Sequence, residues 1–266
     1  MSSRITTAFE TAKQNKRCAF IPFITGGFPD SECFESLLKA LDTSGADIIE
    51  VGIPFSDPLA DGPVIQHSSK LALDMQITPQ KILGILNKIK NTIKAPIVIM
   101  SYWNPIMQFG LKEFAIALNE AGVSGVIIPD LSPEESATWR ECAESHSVDT
   151  IFMVAPTTSH DRIKKIASYS SGFVYLVSMT GVTGANLNMD KKLETQIQSV
   201  KSLTNLPVAV GFGISTPSQA GHLSSFADGI IVGSALVKKT IEAASAEEAI
   251  ESVTRLSSQI AVALKN

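Results

Sequence analysis

The acid that stands out is Glu50, set in the otherwise apolar run Ile48-Ile49-Glu50-Val51-Gly52. In an extended chain side chains alternate, so Ile48, Glu50 and Gly52 share one face while Ile49 and Val51 take the other. The β-branched pair suits a surface covered by helices, which turns Glu50 towards an interior. A carboxyl there loses hydration, its pKa rises, and it can exchange protons near neutral pH. The alternative is a buried acid paired with a Lys, an Arg or a backbone donor. Two further acids, Asp57 and Asp61, follow in Pro54-Phe55-Ser56-Asp57-Pro58-Leu59-Ala60-Asp61-Gly62-Pro63. Prolines and glycine stiffen that stretch, and Asp in such a turn often bonds only its own backbone. Asp61 gains a chemical role if the loop folds over a pocket and faces Glu50.

Two glycine turns offer a different chemistry. Gly211-Phe212-Gly213-Ile214-Ser215 and Gly233-Ser234-Ala235 each follow an apolar run and contain no Lys or Arg. Backbone N–H groups and a helix N-terminus could hold a phosphate there without side-chain cations; the alternative is two tight turns that need glycine. Gly181-Val182-Thr183-Gly184-Ala185-Asn186 has the small residues of a hinged lid. Large side chains at strand ends, namely Phe23, Met100, Tyr102, Ile128, Tyr175 and Phe212, could enclose a flat apolar ligand or simply fill a core. None of the apolar runs holds a Lys for Schiff-base chemistry. The four histidines form no i,i+3 or i,i+4 set that would suggest a metal site.

These groups need elements to hold them. Eight short runs recur: 19–24, 48–51, 97–100, 125–128, 150–154, 173–177, 208–211 and 229–232. Most are near-continuously apolar, as parallel strands covered on both faces are. Between them lie helix signals: Thr78-Pro79 and Thr216-Pro217 as cap plus proline, Ser132 with Glu135, and Ser245 with Glu248 as capping boxes. Gly45 and Gly122 stand where a left-handed C-cap suits glycine. Eight strands alternating with helices over 266 residues predict an α/β fold, a (β/α)8 barrel in one domain. It would carry an extra N-terminal helix and long loops after strands 2 and 6, from Pro54 to about Ile77 and from Ser178 to about Met189. Thr25-Gly26-Gly27-Phe28-Pro29 is not the dinucleotide turn of an open doubly wound sheet.

Composition narrows the function. A net charge of −4 does not favour binding a phosphate polymer by bulk charge. Three scattered cysteines read as reduced thiols of a cytosolic protein. The first residues are polar and amphipathic, so no secretory signal is visible, and no apolar run approaches the ~20 residues of a membrane span.

The stretch from Glu50 to Gln66 resembles the signature of the tryptophan synthase alpha chain family. Pro22-Phe23-Ile24-Thr25, Gly181-Val182-Thr183-Gly184, Gly211-Phe212-Gly213-Ile214 and Gly233-Ser234-Ala235 follow in the family's order and spacing. The resemblance implies retro-aldol cleavage of indole-3-glycerol phosphate to indole and glyceraldehyde 3-phosphate, in tryptophan biosynthesis in the cytoplasm. It makes Glu50 and Asp61 catalytic. Phe23, Met100, Ile128, Tyr175, Thr183 and Phe212 become substrate-binding residues, and Gly184, Gly213, Gly233 and Ser234 the phosphate site. It also implies a beta chain that carries pyridoxal phosphate, with no cofactor in this chain, an alpha2beta2 heterotetramer, and Asp57 and Asn104 at the contact. The sequence departs from the family at Ser132, where proline is expected, and at Met100, where an aliphatic residue is common. A chain kept only to activate the beta partner is the competing reading, although it would not need both acids. A metal-dependent epimerase or an indole-glycerol-phosphate synthase would need strand-end His residues or a strand Lys, which this chain lacks.

Overall fold

The computed structural model describes residues 3–177, 187–211 and 213–265, in which parallel strands alternate with helices. α1 (Arg4–Gln14) precedes β1 (Ala19–Thr25), and α2 (Ser31–Thr43) leads to β2 (Ile49–Gly52). α3 (Pro63–Asp74) and α4 (Pro79–Ile89) lead to β3 (Ile97–Met100), and α5 (Trp103–Phe109) and α6 (Leu111–Glu120) to β4 (Val123–Ile127). A 3-10 turn (Pro133–Glu135) and α7 (Ala137–Ser145) lead to β5 (Asp149–Ile151) and β6 (Met153–Val154). α8 (His160–Tyr169) leads to β7 (Val174–Val177), α9 (Leu187–Lys201) to β8 (Val208–Gly211), and α10 (Pro217–Ser224) to β9 (Gly229–Val232). α11 (Ser234–Glu242) and α12 (Ala246–Ala263) complete the order.

The strand order is β5-β4-β3-β2-β1-β9-β8-β7-β6. Its two ends are neighbours in sequence, halves of one extended segment interrupted at Phe152. The Phe152 carbonyl accepts the Tyr175 N–H at 3.1 Å, so the ring closes across that break. The eightfold barrel predicted from the sequence is therefore the observed architecture, with its fifth strand split in two.

Period-two alternation divides the apolar residues into two layers. Phe20, Ile24, Ile49, Val51, Ile97, Ile99, Val174, Leu176, Val208, Val210, Ile230 and Val232 pack outward against the helices. Ala19, Ile21, Phe23, Ile48, Val98, Met100, Ile127, Ile151, Tyr175, Ala209 and Ile231 fill the barrel. Ile5, Phe9 and Ala12 of α1 join the inner group, and the Phe9 ring lies 5.6 Å from that of Phe173. The extra helix thus plugs the N-terminal end of the barrel and leaves the C-terminal end as the mouth.

Local signals act mostly as read. Thr78, Thr216 and Ser245 cap α4, α10 and α12, and Thr216 forms a full capping box with Gln219. Gly45 and Gly122 adopt positive φ after α2 and α6. Ser132 caps only the 3-10 turn, and α7 starts after Ser136. The segment expected as one long loop from Pro54 to Ile77 contains α3, because Pro63 opens a helix that buries Ile65, Ser68, Ser69 and Ala72 on one side. Of the expected sixth loop, residues 178–186 lie outside the described residues, and α9 has begun by Leu187. Replacing Phe9 by Ala removes the ring that seats α1 in the barrel. It should lower the stability by ~3–5 kcal/mol, read as a fall in the urea unfolding midpoint.

Candidate active site

β2 carries Glu50 into the barrel, paired with Phe23 of β1 on one side and Val98 of β3 on the other. The residue is 1% exposed, and its Oε2 has no hydrogen-bond partner among the described residues. Among the described residues no Lys or Arg forms an ion pair with it. Burial first, and then the nearby Asp61 charge, push its pKa up to about 8. A neutral carboxylic acid therefore stands inside the barrel at pH 7.

The loop after β2 is stiffened by its own backbone. Leu59 N–H donates to the Asp57 carbonyl at 2.9 Å and Asp61 N–H to the Pro58 carbonyl at 3.0 Å. The Gln66 side chain braces the Asp61 carbonyl at 2.9 Å. Asp61 lies close enough to Glu50 for its charge to act on it. Burial pushes the Asp61 pKa up to about 6, opposed by the Tyr102 hydroxyl. The two acids thus lie on opposite sides of neutrality, with Glu50 neutral and Asp61 charged at pH 7.

Tyr175 is buried on β7, and burial followed by the Glu50 and Asp61 charges raises its pKa well above the usual value. Its hydroxyl approaches so closely that a Cβ at residue 211 would overlap it, which explains a glycine at the end of β8. Gly52 does the same for Phe23, whose Cζ would lie 2.6 Å from a Cβ there. Met100 is buried on the inner side of β3. Phe23, Glu50, Asp61, Met100 and Tyr175 thus converge at the mouth.

Ile128 does not join them. It packs in the outer layer with the helices, and Ile127 is the inward residue of β4. Ile127 pairs with Met100 on β3 and with Ile151 on β5, whereas the sequence reading had placed the next residue, Ile128, in the pocket. Gly213 has φ +77° just beyond β8, and Gly233 is the N-cap of α11, with Ser234 its first residue. The first intrahelical bonds run from Leu236 and Val237 to the Gly233 carbonyl, which leaves the N–H groups before them unused by the helix. Asp57 and Asn104 are exposed, and near them in sequence so are Leu59 (93%) and Met107 (50%). Thr183, Gly184 and Phe212 lie outside the described residues. Tyr102, read from sequence only as a strand-end aromatic, contacts the second acid. Its position two residues beyond Met100, on the same face of an extended chain, was the available signal.

The sequence profile of the tryptophan synthase alpha chain matches residues 9–265. The chain belongs to the tryptophan synthase alpha chain family. An alpha chain from Geobacter sulfurreducens is 47% identical over 236 residues, 89% of each chain. One from Picosynechococcus is 45% identical over 244 residues, 91% of this chain and 92% of its own. Among solved structures, tryptophan synthase subunit alpha from Legionella pneumophila superposes with a TM-score of 0.92 at 37% identity, and each chain is covered completely. As a family member the protein is a lyase that cleaves indole-3-glycerol phosphate to indole and glyceraldehyde 3-phosphate in tryptophan biosynthesis. Membership also implies a beta-chain partner. No described helix is long and apolar enough to cross a membrane.

The pKa of Glu50 carries a stability prediction. Its folded value lies above the ordinary carboxyl value, so its contribution is complete below about pH 4.5 and is lost as pH rises through about 8. Glu50→Gln removes that loss. The variant should match the wild type near pH 4.5, gain on it as pH rises, and level off above about 8. The gap there is on the order of a few kcal/mol, measured as the difference in urea midpoints across pH.

Proposed function

We propose that Glu50 carries the retro-aldol cleavage as both proton donor and proton acceptor, while Asp61 accepts the hydrogen bond of the indole N–H. What supports this is a carboxyl group buried inside the barrel, its Oε2 without a partner among the described residues, with a second acid near enough to raise its pKa. Indole leaves poorly until its C3 is protonated. Glu50 gives its proton to C3, and Asp61 stabilises the positive charge that develops at the ring N–H. The resulting Glu50 carboxylate then takes the proton of the side-chain hydroxyl. The C–C bond breaks, its electron pair restores the indole ring, and the hydroxyl carbon becomes the aldehyde of glyceraldehyde 3-phosphate. Glu50 ends protonated, ready for another cycle.

The indole ring fits among Phe23, Met100, Ile127 and Tyr175, with Phe212 and Thr183 assigned to the same pocket through the family pattern. The phosphate fits the turns at Gly213, Gly233 and Ser234, with Gly184, held by backbone N–H groups at the start of α11. The partner face is the one bearing Asp57, Leu59, Asn104 and Met107, where exposed apolar side chains flank polar ones. In this reading the chain is one folded unit in an alpha2beta2 assembly, cytoplasmic, with no cofactor of its own and pyridoxal phosphate on the beta chain.

Indole release from indole-3-glycerol phosphate, with and without a beta chain, tests the assignment. Glu50→Gln and Asp61→Asn should each lower kcat by at least ~100-fold while substrate binding survives. Retention of most activity in Glu50→Gln would remove it from the mechanism. The wild-type kcat/KM should peak between about pH 6 and 8, falling below as Asp61 takes a proton and above as Glu50 loses one.

A further inference from the structure

We propose that Tyr102 is a positioning residue for this reaction, which holds the Asp61 carboxylate in place through its hydroxyl. The proposal rests on the assignment of Asp61 as the group that stabilises the indole N–H. Tyr102 follows β3 and is 4% exposed. Its hydroxyl oxygen accepts the Ala60 N–H at 3.0 Å, from the residue just before Asp61. With that acceptor position filled, the hydroxyl hydrogen is left to donate, and the Asp61 carboxylate is the charged acceptor beside it.

Tyr102 is itself held on two further sides. The Phe55 ring stacks at 5.2 Å between centroids with an interplanar angle of 30°. The next residue, Trp103, donates its N–H to Asp130 Oδ1 at 2.8 Å, and this ties the start of α5 to the end of β4. That bond replaces the side-chain cap that α5 lacks at its own N-cap. A phenol fixed at ring, backbone and hydroxyl can hold a loop carboxylate with little motion. The ionisable groups around this point are Glu50 from β2, Asp61 from the loop, Tyr175 from β7 and Asp130 beyond β4. Among them Tyr102 favours the charged form of Asp61, against its burial.

Tyr102→Phe keeps the ring and its stack on Phe55 and removes only the hydroxyl. Assayed by indole release, it should lower kcat about tenfold to a hundredfold, with KM little changed. The acid limb of the pH–rate profile should move to higher pH, because Asp61 loses the donor that favours its charge. A 3-fluorotyrosine at this position, with a more acidic hydroxyl, should move the limb to lower pH without a change of shape. A purely structural role would lower stability and leave both limbs where they are. Unchanged kcat and an unmoved acid limb in both substitutions would overturn the proposal. Asp61→Asn assayed alongside separates the two levels. Activity retained in Asp61→Asn removes the assignment beneath the proposal. Activity lost there, beside an unaltered Tyr102→Phe, overturns the role of Tyr102 alone.

Discussion

A carboxyl group sealed in an apolar barrel, with one oxygen unpartnered, sets the terms for the rest of this structure. Removing a carboxylate from water without a compensating partner is costly, and the protein avoids the cost by keeping Glu50 protonated. That choice requires that no Lys or Arg stand against Glu50, since an adjacent cation would draw the proton off. The inner layer meets the requirement: the β1, β3, β7 and β8 side chains around Glu50 are apolar or phenolic. The nearby acid Asp61 adds to the effect and is placed on a loop, where it stays partly accessible. Barrel packing and acid–base chemistry are here one arrangement described in two ways.

The same economy of cations extends to the other end of the ligand. The turns at Gly213 and Gly233 carry no basic side chain, so an anion there would be met by backbone dipoles. A Lys placed for phosphate would stand near the mouth and compete for the acids. Backbone donors hold an anion without that interference, because their partial charges are fixed and local. The opposite end is filled by α1, whose Ile5, Phe9 and Ala12 pack into the inner layer.

Much of this was legible in the sequence because parity is a strong constraint. Ile49 and Val51 on one side and Ile48 and Glu50 on the other follow from alternation alone, and the structure has them so. In β4 no such mark exists: Ile128 was read as a strand-end pocket residue, whereas Ile127 stands in the inner layer, since a run apolar on both faces gives no internal sign of which face is which. α3 was concealed for a related reason. Its buried face includes Ser68 and Ser69, and Ser68 pairs with Thr25 at 2.6 Å, so a polar link stands where an apolar stripe would have announced a helix. The split at Phe152 is a matter of ladder geometry and leaves no trace in residue type.

The role of Tyr102 was least legible, and the reason bears on how the site works. Sequence spacing relates residues on one element, whereas this contact joins two: the loop after β2 and the start of α5. Both segments also carry exposed residues, Leu59 on the first and Asn104 and Met107 on the second. A single phenol thus ties together two surface segments and, in the same bond, the backbone next to an acid in the barrel mouth. Placing the tie at Tyr102 leaves Glu50, fixed by its strand and its neighbours in the ladder, insulated from the surface. The acid that moves the protons is set by the barrel and the acid that meets the ring N–H is set by the loops, so the two acids answer to different parts of the fold.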